Sequence, residues 1–402
     1  MMKSDAIDFA RSFDHGSAEQ MQDPYPVYSR LRNQCPVAHS EQYGGFTLIS
    51  RYDEVRKILM DYAVFSATSG TGIPPVPFQM CPTDIDPPEQ TQYRKLLNPR
   101  FTKSAVEAWR PRITQYAHEL IDLFIERGEA DLASQLIRPL LPKVILPLVG
   151  VPYDDHEKIA GWAEFLSHNR GTDLQGCQRV SLELRSYLLD LIIRRRQEAP
   201  SEDLLGLLLF QGVGGRQLDD EEVFGAVMIL LFGGLDTTSA VLLETLLFLD
   251  RDPAARQRLA RDQGIWPTAI EEFIRFSSPV QGVTRLVMSE GVEISDVPLP
   301  KGRIVMALLA AANRDESKFP SSVRCIIDRV NNAHVGIGSG AHLCLGKNLA
   351  RLEIEVVLRV ILERLPDYGV IDGFEPRYSP SEVRGMVSLP VRFSAGKRRS
   401  DG

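Results

Sequence analysis

HVGIGSGAHLCLGKNLAR, residues 334–351, is the stretch that decides how this chain is read. It places a single cysteine, Cys344, in a glycine-rich loop that runs into the helix-forming segment KNLARLEIEVVLRVILERL. Gly338 and Gly340 stand six and four residues before the cysteine, and Gly346 two after it. Glycine allows backbone angles and close approaches that a side chain blocks. Three of them around one sulfur imply a backbone folded tightly about a large flat object. A thiol at a helix start also meets unpaired N–H groups and the positive end of the helix dipole, which favour the thiolate. Such a sulfur is a ligand or a nucleophile. A lone cysteine is as often a small buried apolar group, so Cys344 alone does not decide between them.

A second stretch carries chemistry. Asp219 and Glu222 have capping-box spacing, and a helical pattern runs from there to about Asp250, closed by Pro253. Such a helix spans about 45 Å. Its AVMILLF run (226–232) is apolar all round and predicts burial on every side. Gly233-Gly234-Leu235-Asp236-Thr237-Thr238 follows, and its glycines and threonines predict a local opening of the helix. Asp236 in a buried helix needs a partner or a task. Glu272 and Arg275 share one helical face. Pro87 and Pro88 suit a helix start, with Arg94 on the face of that helix.

Between these landmarks the pattern is mostly helical. GGFTLISR predicts a strand after a Gly-Gly turn, and 51–60 a helix. Residues 66–82, SATSGTGIPPVPFQMCP, predict an irregular loop. From 103 to 210 helices are expected, broken at Pro139, Pro142, Pro147 and Pro152. RIVMALLAAANRD reads as a buried strand passing into helix, and MVSLPVRF as a strand.

The pattern His-x3-Gly-x-Gly-x-His-x-Cys-x-Gly closely resembles the haem-binding loop of the cytochrome P450 superfamily, with Ile337 where the family usually has Phe. Gly-Gly-Leu-Asp-Thr resembles the family's acid–alcohol pair, and Glu272-x-x-Arg275 its Glu-x-x-Arg motif. The resemblance implies one mainly α (α+β) domain over 1–402, a triangular helical prism with a small β region holding one haem b. Cys344 becomes the proximal iron ligand within the Gly338, Gly340 and Gly346 turn. Arg94, Arg285 and His342 face the propionates, while Gln90 replaces a second family contact, a histidine. Asp236 and Thr237 deliver protons to dioxygen. Glu272, Arg275 and Arg329 form a structural cluster, although Cys325 and Ile326 depart from the usual approach to that second arginine. Phe78, Met80, Ile229, Phe232, Gly233, Val280 and Val283 line the substrate pocket. Gly-Gly-Leu-Asp-Thr and Asp-Pro-Pro-Glu-Gln look closest to the camphor-hydroxylating branch.

The implied activity is insertion of one oxygen atom from O2 into a small, largely apolar organic substrate. Electrons would come from a separate ferredoxin or flavodoxin and its NAD(P)H reductase. Arg94, Lys95, Arg110, Arg112, Lys347 and Arg351 are candidates for that docking. A peroxide-driven peroxygenase and a non-catalytic haem sensor or carrier are the alternatives. Bulk properties agree with a soluble enzyme: the 402 residues are 44% hydrophobic and 25% charged. A formal net charge of -7 argues against nucleic acid. Five scattered cysteines form no disulfide framework and fit a reducing cytosol. The first twenty residues lack the apolar core of a signal peptide, and no apolar run reaches bilayer length. A cytoplasmic monomer without a membrane anchor is expected.

Overall fold

A computed structural model describes residues 9–169, 173–381 and 383–399. Its larger helices are α1 (Tyr25–Gln34), α2 (Tyr52–Met60), α3 (Glu89–Leu97), α4 (Arg110–Asp122), α5 (Arg138–Val149) and α6 (His156–Asn169). They continue as α7 (Leu174–Arg196), α8 (Asp220–Arg251), α9 (Pro253–Arg261), α10 (Trp266–Ser277) and α11 (Lys347–Arg364). The strands are short: β1 (Val37–Ser40), β2 (Phe46–Ile49), β3 (Phe65–Ser66), β4 (Glu129–Asp131) and β5 (Val283–Val287). After them come β6 (Val292–Ile294), β7 (Val297–Leu299), β8 (Ile304–Ala307), β9 (Gly369–Val370) and β10 (Pro390–Arg392).

The helix α8 is the axis of the fold. Asp219 caps it and Glu222 completes the capping box, so its start is set locally. Beyond that turn it packs against α5, α7, α10 and α11. Length and apolarity would let it span a bilayer, but most of it is buried inside the protein. Burial is not uniform, which corrects the all-round expectation: Met228, Ile229 and Phe232 are half-buried and Gly233 is exposed. Those positions share one face at 3.6 residues per turn. The predicted opening at 233–238 does not occur either. The helix runs through, and the Thr237 hydroxyl donates to the Gly233 carbonyl at 2.7 Å within its own turn. Packing against four helices outweighs the propensity cost of each glycine, about 1 kcal/mol.

Prolines gave a second correction. Pro142 and Pro147 lie inside α5 rather than ending it. Leu140, Leu141, Val144, Ile145, Leu146, Leu148 and Val149 are all buried, and that packing offsets the lost backbone bonds. Pro139 sits in the first turn, where its missing N–H costs nothing. The break falls instead at Gly150, a left-handed cap two residues before Pro152.

A five-stranded sheet, ordered β1-β2-β8-β5-β3, flanks the helices. The pair β2 and β8 is parallel, with Thr47 opposite Val305, and β8 and β5 are antiparallel, with Ala307 opposite Val283. The strand expected at GGFTLISR is β2, and RIVMALLAAANRD becomes β8 followed by a helical turn at Leu309–Ala312. Between β3 and α3 the chain has no regular element, as its prolines and glycines predict. This loop rests directly on α8, because a Cβ at Gly225 would stand 1.9 Å from the Gln79 carbonyl oxygen. Phe78 seals the contact against Phe224, ring centroids 5.1 Å apart. Gly225→Val should therefore lift the loop, lowering stability by about 1–3 kcal/mol and speeding proteolysis within 66–82. Unchanged denaturation and cleavage would contradict the docked loop.

Candidate active site

The cysteine loop is built from backbone contacts. Gly338 and Gly340 have φ of 74° and 68°, the left-handed region that suits glycine. A Cβ on Gly340 would lie 2.6 Å from the Leu59 carbonyl oxygen, so the loop packs straight onto the end of α2. The Cys344 N–H donates to the Ile337 carbonyl at 2.9 Å, which closes the turn. From α3, Arg94 donates to the Leu343 carbonyl at 2.7 Å and Gln90 to the Ala341 carbonyl at 2.6 Å. Gln90 thus braces the loop through its amide.

Cys344 as a residue is half-buried. Burial pushes its thiol up, while the Gly346 N–H, Arg94, Arg351 and Lys347 pull it down. A cation placed at the sulfur would tip that balance to the thiolate, since a coordinating thiol is deprotonated outright.

Behind the loop lies a closed ionic cluster. Arg275 and Arg329 donate to the Glu272 carboxylate at 2.7 and 3.0 Å, and neither Glu272 nor Arg275 is exposed at all. The Ile326 N–H and Asn332 amide add donors at 2.7 and 3.0 Å. Arg275 in turn donates to the carbonyls of Asn313, Ser322 and Arg324. The three sequence-identified residues therefore meet despite Cys325 and Ile326. A second, outer pair was missed: Glu271 accepts from Arg351 at 2.5 Å and from His334 at 3.2 Å. Burial raises the Glu271 carboxyl, but these donors outweigh it and hold it at about 2.

Arg285, His342 and Arg94 stand in one corner. Arg285 is 3% exposed, donates to the Thr284 carbonyl at 2.7 Å, and is pulled down to about 10 by burial, against Asp86 and Asp84. The buried His342 Nε2 lies 3.5 Å from Asp86 Oδ1, too long for a good hydrogen bond. Burial and the neighbouring Arg285 hold His342 neutral, down at about 4, against Asp86. Buried donors so poorly satisfied suit an anionic group.

Residues Ile229, Phe232 and Gly233 form the uncovered face of α8, and a Cβ on Gly233 would meet nothing within 4 Å. Asp236 and Thr237 are half-buried beside them. Val280 bridges to Val383, and Val283 lies on β5. Phe78 is spent on Phe224, and the Met80 N–H donates to the Asp84 carboxylate at 3.0 Å. Among the basic residues considered for docking, Arg110 pairs with Glu107 and Glu355, Arg351 with Glu271, and Arg94 turns into the loop. Lys95, Arg112 and Lys347 have no ion pair among the described residues.

One further acid went unrecognised. Glu353 on α11 is 3% exposed and hydrogen-bonded to Thr238, next to Thr237. Burial pushes its carboxyl up to about 8, against that hydrogen bond. The signal was present in the sequence: at helical spacing Glu353 falls in line with Leu349, Val356, Val357 and Val360, on the apolar face of its helix. The contact also ties α11 to α8, upstream of which stand Cys344 on one element and Gly233 on the other.

Two outcomes follow. Glu272→Gln leaves two buried arginines sharing no anion, so unfolding free energy should drop by about 3–5 kcal/mol in chemical denaturation; a surface-like change below 1 kcal/mol would contradict the cluster. Native Glu353 keeps its proton between about 4.5 and about 8, where the unfolded chain loses it. Stability should therefore fall as pH rises through that window. Glu353→Gln should flatten the slope, and an unaltered slope would show that Glu353 ionises normally.

The comparisons agree with this geometry. The cytochrome P450 family profile matches residues 156–263 and 266–366. Cytochrome P450 107B1 of Saccharopolyspora erythraea is 33% identical over 396 residues, covering 93% of this chain and 96% of that protein. The vitamin D(3) 25-hydroxylase of Pseudonocardia autotrophica is 33% identical, over 92% of this chain and 94% of that protein. Among solved structures, CYP109E1 from Bacillus megaterium in complex with testosterone superimposes with a TM-score of 0.83 at 30% identity, covering 94% of this chain and 100% of that one. With a cysteine loop, a long capped helix and a buried Glu-x-x-Arg cluster in one fold, and relatives matched along nearly their whole length, the chain belongs to the cytochrome P450 family and is a monooxygenase of its bacterial type.

Proposed function

We propose that this chain binds one haem b through Cys344 and inserts one atom of O2 into a small, largely apolar organic molecule. The observation that carries the proposal is Cys344, with the Gly346 N–H at its sulfur, in a fold whose long helix leaves Gly233 bare beside Asp236 and Thr237. Haem bound through a thiolate activates dioxygen, and the sulfur's electron donation favours O–O cleavage.

The residues present fit that group. Arg285, Arg94 and His342 would receive its two carboxylates, which would give the buried Arg285 the close ion pair it does not have among the described residues. The Glu272 cluster fixes the loop that presents the sulfur. Thr237 Oγ1, already bonded to the Gly233 carbonyl, holds a hydroxyl at the reacting side of α8, and Asp236 brings it protons. Ile229, Phe232, Val280 and Val283 exclude water and offer no charge, which favours an apolar substrate. The names of relatives point the same way, to mycinamicin IV, vitamin D(3) and testosterone.

Reducing equivalents come from a separate ferredoxin or flavodoxin and its NAD(P)H reductase, docking near Lys95, Arg112 and Lys347. The enzyme works as a one-domain cytoplasmic monomer. A spin-state titration of the ferric protein with steroids, macrolides and fatty acids should identify the substrate class. With that ligand, Thr237→Ala should keep haem and ligand affinity while sending most reducing equivalents to peroxide. An unchanged ratio of product to peroxide would remove Thr237 from proton delivery.

A further inference from the structure

Between β9 and β10 the chain makes a hairpin, in which the Val387 N–H donates to the Arg377 carbonyl at 2.8 Å and the Ser379 N–H to the Gly385 carbonyl at 2.9 Å. Its returning arm runs beside the residues that follow α10. Val383 bridges to Val280, and the Arg384 N–H donates to the Pro279 carbonyl at 2.8 Å. Side chains of an extended segment alternate between two faces. Val383 and Gly385 share one of them, and a Cβ on Gly385 would stand 4.0 Å from Ala240 of α8. Arg384 turns to the other.

The Arg384 side chain is 5% exposed, and every nitrogen of its guanidinium is engaged. Nε donates to the Met21 carbonyl at 2.7 Å, Nη2 to the Gln22 carbonyl at 3.1 Å, and Nη1 to Glu244 of α8 at 3.1 Å. Met21 and Gln22 close the short helix Ala18–Gln22, where the last carbonyls have no partner within the helix. The guanidinium also lies 3.3 Å from the centroid of the Tyr378 ring. A rigid planar fork can serve two carbonyls and a carboxylate at once, which a lysine ammonium cannot reproduce. Gln22 adds a second tie, its amide donating to the Pro376 carbonyl at 2.7 Å and accepting from the Tyr378 N–H at 3.3 Å. A side chain from the start of the chain thus stands in for a pairing strand on the outer arm of the hairpin. By contrast, the Ser381 hydroxyl bonds only inward, to the Val383 carbonyl at 2.7 Å.

We propose that Arg384 is a positioning residue for the substrate wall at Val383. The bridge to Val280 fixes one point of the hairpin and leaves it free to pivot there. The fork onto Met21, Gln22 and Glu244, with the Gln22 amide, removes that pivot and sets how closely Val383 approaches the pocket. Residues near the start of the chain, outside the pocket, thereby decide how well a bulky ligand is gripped. The inference rests on the reading of Val280 as a wall of the substrate pocket.

The test uses purified, haem-loaded protein and two ligands of the iron, imidazole and 4-phenylimidazole, with binding read from the Soret shift. Imidazole needs little beyond the iron, whereas the phenyl probe also needs the walls. Arg384→Lys keeps the charge and loses the fork, and Gln22→Ala, at an exposed position, removes the second tie. In each, the phenyl probe should weaken about tenfold relative to imidazole, the size of one lost apolar contact. A merely destabilised protein would weaken both probes alike. Val383→Ala is the reference for the wall and should shift the same ratio. If it does and Arg384→Lys does not, the clamp is overturned while the pocket reading stands; should Arg384→Lys fail to fold, Gln22→Ala decides in the same way. If Val383→Ala leaves the ratio unchanged, Val383 does not border the pocket, and the proposal falls with that reading.

Discussion

Glu272, wholly buried and accepting from Arg275, Arg329, Asn332 and a backbone N–H, is the interaction on which the rest of this structure depends. Its partners lie on α10 and on the irregular segment that leads into the cysteine loop. That segment has almost no secondary structure of its own, so its path is set by carbonyls bonded to the two arginines. Replacing such a cluster wholesale by apolar residues could preserve stability, but no apolar group would orient so many carbonyls at once. The ionic cluster is a means of fixing a loop. The outer Glu271–Arg351–His334 group repeats the device nearer the surface, tying α10 to the first turns of α11.

The same economy of charge governs the reacting side. Along α8 the apolar packing is almost continuous, and the chain departs from it at Gly233, Asp236, Thr237 and Thr238. Both threonines are satisfied: Thr237 bonds within its own turn, and Thr238 meets Glu353 of α11. Arg285 and His342 differ, being buried donors poorly satisfied by protein alone. Unfinished hydrogen bonding of that kind is rare in a folded interior, and it is what the proposed anionic group would complete.

Much of this was legible in the sequence because it is local or because spacing encodes it. The Asp219–Glu222 capping box needs four consecutive residues, and the strand at 46–49 follows directly from its turn. The Glu-x-x-Arg spacing marks one helical face, and the resemblance supplied its distant partner Arg329. What failed were inferences from propensity where packing prevails. Pro142 and Pro147 continue α5, and the Gly-Gly-Leu-Asp-Thr-Thr run stays helical, since both are held by neighbouring helices. The ion pairs of Arg351 with Glu271 and of Arg110 with Glu355 left no mark in the sequence, because those partners come from elements far apart in the chain.

Every functional statement rests on a sulfur at position 344 bound to haem iron. The most direct measurement is the absorption spectrum of the reduced carbon monoxide complex of the purified protein. The expected result is a strongly red-shifted Soret band for the native chain and its loss in Cys344→Ser. A native chain without that band, or a variant that keeps it, would contradict thiolate ligation by Cys344.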